Sequence, residues 1–194
     1  HLLGQSWGTW LGFEYLLTHP EGAKSFVCAN GTGEVPLHLR DLERLRGALG
    51  PETVAMMARH EAEGTTDHPA YQGAVNILNY RHVCRLDRWP AALQRSVDGI
   101  NMDIYGTMWG PNEFTCIGNL KDWDRLADLP LIKQPVLVLC GHHDELTPDS
   151  AARIARRLSS ATLKVFPNSS HMPFFEEAAD YLATVETFLN AHRG

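Results

Sequence analysis

The segment Pro135-Val136-Leu137-Val138-Leu139-Cys140 carries no charged or hydroxyl side chain. A strand covered on one face alternates apolar and polar residues, whereas a continuous apolar, β-branched run suits a strand buried on both faces. Such strands belong to parallel sheets flanked by helices. The neighbouring sequence agrees. A loop from Gly141 to Pro148 leads to a helix expected over 149–158, with Asp149 as its N-cap. A second strand is expected over 161–166, then a loop over 168–173 and a closing helix over 174–192. The first residues repeat this texture. They read as a strand at 1–4, a glycine-rich turn, a helix with Trp10, Leu11, Phe13, Leu16 and Leu17 that stops at Pro20, and a strand at 25–30 ended by Asn30-Gly31-Thr32-Gly33. Strand and helix alternate, which predicts an α/β fold with a parallel sheet.

Between these parts the texture changes. A chain of 194 residues suggests one domain, or one domain with an insertion. From 34 to 128 no strand pattern appears, and Arg, Glu, Met and Ala recur at helical spacing. Leu39, Leu42, Leu45 and Leu49 form an apolar stripe, and Pro51, Pro69 and Pro90 stand where segments open rather than inside them. The reading is therefore core at 1–33, an all-helical module at 34–128, and core again at 129–194.

Composition narrows the classes. Hydrophobic residues at 44% and charged residues at 21% disfavour a disordered or collagen-like chain. A formal net charge of −6 offers no basic excess to neutralise phosphates, so nucleic acid and anionic membrane are unexpected partners. The longest apolar runs fall far short of the ~20 residues that cross a bilayer. No signal peptide is visible, although a chain beginning with His1 does not reveal where its gene starts. Cys28, Cys84, Cys116 and Cys140 show neither C-x-x-C nor zinc spacing and read as free thiols in a reducing, cytoplasmic setting.

Gly4-Gln5-Ser6-Trp7-Gly8 matches G-x-S-x-G, the turn that lifts a nucleophilic serine between a strand and a helix. Side chains at positions 4 and 8 are expected to collide with the neighbouring strand and helix. Asp144 follows the apolar strand and His171 follows the next one, so both stand at C-terminal strand ends, where open α/β sheets place their sites. The order Ser6, Asp144, His171 is that of α/β-hydrolases. The chemistry needs all three. A serine hydroxyl is a weak nucleophile until histidine takes its proton, and the carboxylate fixes the histidine tautomer and stabilises the imidazolium. His142 and His143 flank the acid as loop residues. Adjacent histidines rarely face one ion, and no third ligand is spaced to help, so no metal is expected.

With these motifs stand Trp109-Gly110-Pro111-Asn112-Glu113-Phe114, Lys121-Asp122-Trp123-Asp124, the GHHDELTP stretch at 141–148 and Ser170-His171-Met172-Pro173. Together they resemble the proline iminopeptidase family of serine peptidases, over essentially the whole chain. The resemblance implies an α/β-hydrolase core, of which this is the C-terminal portion, with an inserted all-helical cap. It implies a cofactor-free aminopeptidase that releases an N-terminal residue, preferably proline, from peptides through an acyl-enzyme on Ser6. The substrate would be a peptide or an amino-acid amide. It also implies that Glu113 and Glu145 receive the substrate's amino group, that the backbone N–H of Trp7 is an oxyanion donor, and that Tyr105, Trp109 and Phe114 line a small apolar pocket.

Members of that family carry roughly 100 further residues before the pentad, including an HGGPG-type loop that supplies the second oxyanion N–H. Here the pentad begins at residue 4. The expectation is a fragment, or a chain whose sheet is completed by a separate N-terminal segment, because a sheet ending at the nucleophile strand leaves an apolar edge open. The rival functions are an amidase or esterase of the same fold, and an inactive fragment lacking half of the oxyanion hole. Dehalogenase-like and epoxide-hydrolase-like chemistry is disfavoured because those enzymes place Asp where Ser6 stands.

Overall fold

A computed structural model describes residues 1–193. Four strands, β1 (Leu2–Gln5), β2 (Phe26–Ala29), β3 (Val136–Gly141) and β4 (Ala161–Phe166), form one sheet in the order β1-β2-β3-β4, all pairs parallel. The expected strands are found within one residue at either end. Alternation along the buried strands sorts the two faces. Phe26, Cys28, Val136, Val138 and Cys140 pack against α1 (Trp7–Thr18) and α7 (Pro148–Arg157) through Phe13, Leu16, Ala151 and Ile154. Val27, Ala29, Leu137 and Leu139 point the other way, onto Tyr181, Val185 and Phe188 of α9 (Ala178–Ala191). Every side chain of β3 is buried, as its unbroken apolar sequence requires.

β1 stands at one edge of the sheet. Leu3 is 55% exposed there, and Trp7, Leu11 and Tyr15 of the adjoining α1 are exposed as well.

Between β2 and β3 lie α2 (Val35–Gly47), α3 (Pro51–Glu63), α4 (Pro69–Leu78), a π-helical turn at Asn79–Val83, α5 (Ala91–Asp98) and α6 (Met102–Met108). The rest of the segment is irregular, with a 3-10 turn at Leu129–Leu131 that packs on the sheet core. Prolines occupy the first turns of α2, α3 and α4, where the missing N–H is not needed. Leu42 and Leu45 are buried in this helical layer, with Leu39 and Leu49 packed beside them. The layer is bolted to the sheet side by Arg153 of α7, which pairs with Glu34 at 3.0 Å and Asp41 at 3.2 Å.

Two expectations need correction. The N-cap of α7 is Thr147, whose hydroxyl accepts from the N–H of Ser150, because Pro148 begins the helix one residue early. Asp149 instead stands in the first turn, where negative charge favours the helix. The closing helix is two helices, α8 (Pro173–Glu176) and α9, separated at Glu177, whose backbone is non-helical at φ −131° and ψ 49°. The break has a purpose in the histidine loop. Glu177 Oε2 accepts from Asn168 N at 3.0 Å and Ser169 Oγ at 2.5 Å.

Candidate active site

Ser6 joins β1 to α1 with φ 55° and ψ −125°, a left-handed conformation that a non-glycine residue adopts at a cost. The conformation is over-determined. Ser6 N donates to Ala29 O at 3.0 Å, and Ser6 O accepts from both Thr9 N and Thr9 Oγ1. A Cβ at Gly4 would meet the carbonyl oxygen of Gly8 at 2.1 Å, so only glycine allows the strand to fold back under the helix. The expected collision at Gly8 does not occur, because a Cβ there meets nothing within 4 Å among the described residues. Trp7, as first residue of α1, has no intrahelical partner for its N–H, which is available to an anion beside Ser6.

The acid and histidine loops leave β3 and β4 and meet. At Gly141 a Cβ would come within 2.1 Å of Ser170 O, so glycine lets the two loops touch. Asp144 and His171 are both buried, and His171 Nδ1 lies 2.9 Å from Asp144 Oδ1. The same oxygen accepts from Leu146 N at 3.0 Å. The histidine loop is held from behind by Glu176, which accepts from Ser170 N and Ser170 Oγ at 2.7 Å each. From the helical layer, His82 O accepts from His171 N at 3.1 Å, and the His82 ring bonds His143 O at 2.8 Å. Gln5 Nε2 donates to His171 O at 3.4 Å and so ties the histidine to the residue before Ser6. Ser6 Oγ makes no hydrogen bond to the imidazole; contacts between a nucleophile and its base are commonly long until substrate binds.

Above Ser6 lies a cavity of about 300 Å³, walled by Trp7, Trp10, His38, Tyr105, Trp109 and Glu113, and by Glu145, the neighbour of Asp144 in the chain. Ile100, Ile104, Met108, Leu120 and Leu146 complete an apolar lining. Two carboxylates in so apolar a space are unusual. Glu145 is buried, and its Oε2 has no hydrogen-bond partner. Burial, and then repulsion from Glu113 and Asp144 against attraction from His171, raises its carboxyl well above the usual range. Its other oxygen lies 3.9 Å from His171 Nδ1. Burial opposes charge on His171 too, yet the hydrogen-bonded Asp144 and the nearby Glu145 and Glu113 outweigh it and push the imidazole up to about 9. The Tyr105 hydroxyl is buried without a well-formed hydrogen bond; burial and the adjacent Glu113 push it far up.

Glu113 is presented by a tight reversal. Asn112 Oδ1 accepts from Phe114 N at 2.9 Å, and Asn112 Nδ2 donates to Tyr71 Oη at 2.8 Å. Tyr71 in turn reaches Glu61 at 2.9 Å, and Glu61 pairs with Arg46 at 2.8 Å. The turn sends Glu113 to the cavity and Phe114 into the core of the helical layer, where it faces the His82 ring. Phe114 is therefore not part of the cavity wall, whereas Tyr105 and Trp109 are. Trp109 also donates its indole N–H to Glu113 O at 3.1 Å. The Lys121-to-Asp124 segment acts from behind. Trp123 stacks on Trp10 at 5.3 Å and donates to Glu14, as does Arg125. The His142 and His143 rings stand nearly perpendicular, and no cluster of three or more metal-ligating side chains occurs among the described residues.

Sequence reasoning did not single out His38 or Asn30. His38 occupies the buried face of α2 with Val35, Leu42 and Leu45, a helical spacing in which one polar residue replaces an apolar one. It stacks on Trp109, and burial lowers its imidazole to about 4, so it is neutral. Asn30 donates to Asp144 Oδ2 at 2.6 Å.

The family model described as the α/β hydrolase fold matches residues 1–178. A proline iminopeptidase of Heyndrickxia coagulans is 38% identical over 98% of this chain, which spans 67% of that protein. Among solved structures, VinJ superposes with a TM-score of 0.94 at 35% identity, over 99% of this chain and 66% of its own. A proline iminopeptidase from Mycobacterium smegmatis superposes with a TM-score of 0.86 at 38% identity, over 98% of this chain and 64% of its own. The chain thus spans about two thirds of the length of the proteins it matches. No described helix is long and apolar enough to cross a membrane. The elbow, the order of acid and histidine, the parallel sheet and these likenesses agree: the chain belongs to the α/β-hydrolase fold family and, within it, to the proline iminopeptidases.

Proposed function

We propose that the protein is a serine aminopeptidase that releases an N-terminal residue, preferably proline, from a peptide or amino-acid amide. The observation that carries this reading is the pair Glu113 and Glu145, two carboxylates in the same apolar cavity as Ser6. An exopeptidase must recognise a free amino group only two or three bonds from the scissile carbonyl. A substrate ammonium placed between the two carboxylates would return Glu145 to its ionised form and satisfy its orphan oxygen. An acylated nitrogen could do neither, and an unpaired buried charge costs several kcal/mol. The aromatic walls at Tyr105 and Trp109 offer a flat apolar surface for a pyrrolidine ring.

In the proposed reaction His171 Nε2 takes the proton of Ser6 Oγ, and that oxygen attacks the carbonyl carbon. The oxyanion is met by the N–H of Trp7. Asp144 holds the imidazolium. His171 then protonates the leaving amine, and water releases the residue from Ser6 by the reverse sequence. No cofactor is required. The open edge of β1, with its exposed Leu3, is a surface for a further strand from the part of the relatives' length that this chain does not span. The four free thiols fit a cytoplasmic location.

The test compares proline p-nitroanilide with its N-acetylated form and with a neutral ester, using the protein as its gene encodes it. Glu113→Gln and Glu145→Gln are expected to lose activity on the free-amine anilide and much less on the ester. Efficient turnover of the acetylated anilide by the unaltered protein, or equal losses on both substrates, would reject amino-group recognition. An ester preference throughout would leave an esterase of this fold.

A further inference from the structure

Asn30 ends β2 with φ 53°, and besides Ser6 it is the only non-glycine residue of positive φ among those described. It is fully buried. Its backbone N–H donates to Leu139 O at 2.7 Å, which fixes the strand end beside β3. Its side-chain Nδ2 lies 2.6 Å from Asp144 Oδ2 and 3.4 Å from Ser170 O, while its Oδ1 is buried with no partner. The carboxylate decides which way the amide faces. Asp144 Oδ1 already accepts from His171 Nδ1 and Leu146 N, the pattern of an anion, and the reversed amide would set oxygen against oxygen. One residue therefore carries two unfavourable features, a left-handed backbone and an unsatisfied oxygen. Glycine would adopt the same backbone without strain, carry no such oxygen and keep the strand end. What glycine could not supply is the N–H on Asp144.

We propose that Asn30 is a positioning residue for the reaction at Ser6: its amide N–H locks the rotation of the Asp144 carboxylate, so that Oδ1 stays committed to His171. The proposal rests on the reading of Ser6, Asp144 and His171 as the catalytic set. A carboxylate turns about a broad, two-fold torsion unless both oxygens are held. Leu146 and His171 hold one oxygen, and Asn30 is the donor on the other. Asn30 takes no proton in the reaction. The proton passes from Ser6 Oγ to His171 Nε2, and the amide N–H stays on Asn30 while it keeps Asp144 anionic opposite the imidazolium. Removing the N–H makes the carboxylate more basic, which raises the pH needed to deprotonate His171, and frees it to rotate, which slows each turnover. The other titratable groups facing this pair are Glu145 and Glu113 toward the cavity, His38 of α2, His82 of the π-helical turn and Cys140 of β3. None of them is altered by the substitutions below.

The experiment measures kcat, KM and the pH dependence of kcat/KM for proline p-nitroanilide, with the protein as its gene encodes it. Asn30→Gly retains the left-handed backbone. It is expected to lower kcat about 10- to 100-fold with KM little changed, as for a small misplacement of reacting groups. The acid limb should move to higher pH by about half a unit or more. Asn30→Asp keeps the shape and sets a second carboxyl against Asp144. It is expected to show a new fall in activity as pH rises and that carboxyl ionises. An Asn30→Gly protein with unchanged kcat and acid limb overturns the proposal. So does a loss of kcat that accompanies lost folding cooperativity while Asn30→Asp keeps the parent profile, since that would mark a purely structural residue. Asp144→Asn separates this from failure of the catalytic reading. Full activity in Asp144→Asn rejects the triad itself, whereas inactivity there with a normal Asn30→Gly rejects only the role of Asn30.

Discussion

Glu145 Oε1 stands 3.9 Å from His171 Nδ1, the nitrogen that Asp144 holds at 2.9 Å. One imidazole is thus bracketed by two buried carboxyl groups, of which only one is its hydrogen-bond partner. The second belongs to the cavity wall, so the group that would receive the substrate also controls the base.

This bracket sets the sign of a pH effect. His171 acts as a base only when neutral, and the surrounding carboxylates push it up to about 9. Activity on a neutral ester should therefore rise as pH climbs toward that value. Glu145→Gln removes a carboxyl group that helps hold the proton on His171 once it ionises as pH rises, and should move the acid limb to lower pH. The measurement is kcat/KM against pH for an uncharged ester. A limb that stays in place would show that Glu145 is electrostatically silent.

Ser6→Ala should abolish turnover, with a loss on the order of 10⁴ or more, and should eliminate labelling by a fluorophosphonate. Peptide mapping of the labelled parent protein should find the adduct on Ser6. Substantial residual activity in the variant would remove the acyl-enzyme route.

Gly141→Ala should be severe. The added Cβ meets backbone, at 2.1 Å from Ser170 O, and neither loop can yield without separating Asp144 from His171. A loss of about 1–3 kcal/mol in urea unfolding is expected, together with loss of activity. Gly8→Ala gives the contrast. Open space around that position and the better helix propensity of alanine predict a gain of up to about 1 kcal/mol in the 194-residue chain.

Tyr71→Phe tests the support of Glu113. The substitution leaves Asn112 Nδ2 and Glu61 Oε1 each short of a partner and frees the turn that presents Glu113. Stability should fall by about 1–3 kcal/mol. KM for the free-amine anilide should rise, while KM for a neutral ester stays near the parent value. A parallel change in both would place the network outside amino-group binding.

The elements that could be read in advance are those with a period or a steric rule. The unbroken apolar run of β3 implied burial on both faces, and the elbow glycine at position 4 implied a close approach. Residues that act across the fold were less legible. Asn30 looks like a strand-ending turn residue until Asp144, 114 positions away, is placed against its amide. His38 sat in an apolar stripe as one polar exception, with nothing to distinguish a cavity-wall imidazole from a surface one. The resemblance sets Phe114 with Tyr105 and Trp109 in an apolar pocket, yet neighbours in a tight turn diverge, and an irregular segment has no period from which to read direction. The start of α7 moved by one residue because Pro148 suits the first helical position better than Asp149 suits the cap.

The helical layer enters the chain between two strands that touch. Phe26 of β2 pairs with Val136 of β3, about 110 residues later, and both belong to the centre of the sheet. Closing so long a loop from a disordered chain must be done before any strand pairing rewards it. Collapse of α2 to α6 around Leu42, Met57, Tyr71 and Leu78 would bring the two ends of that loop together beforehand. The rate of refolding should therefore be governed by the helical insert rather than by the sheet. Substitutions in that small core, such as Met57→Ala, should slow folding more than they speed unfolding, whereas Val185→Ala beneath the sheet should do the reverse. A layer that carries the specificity of the cavity would then also be the clock for assembly of the catalytic core.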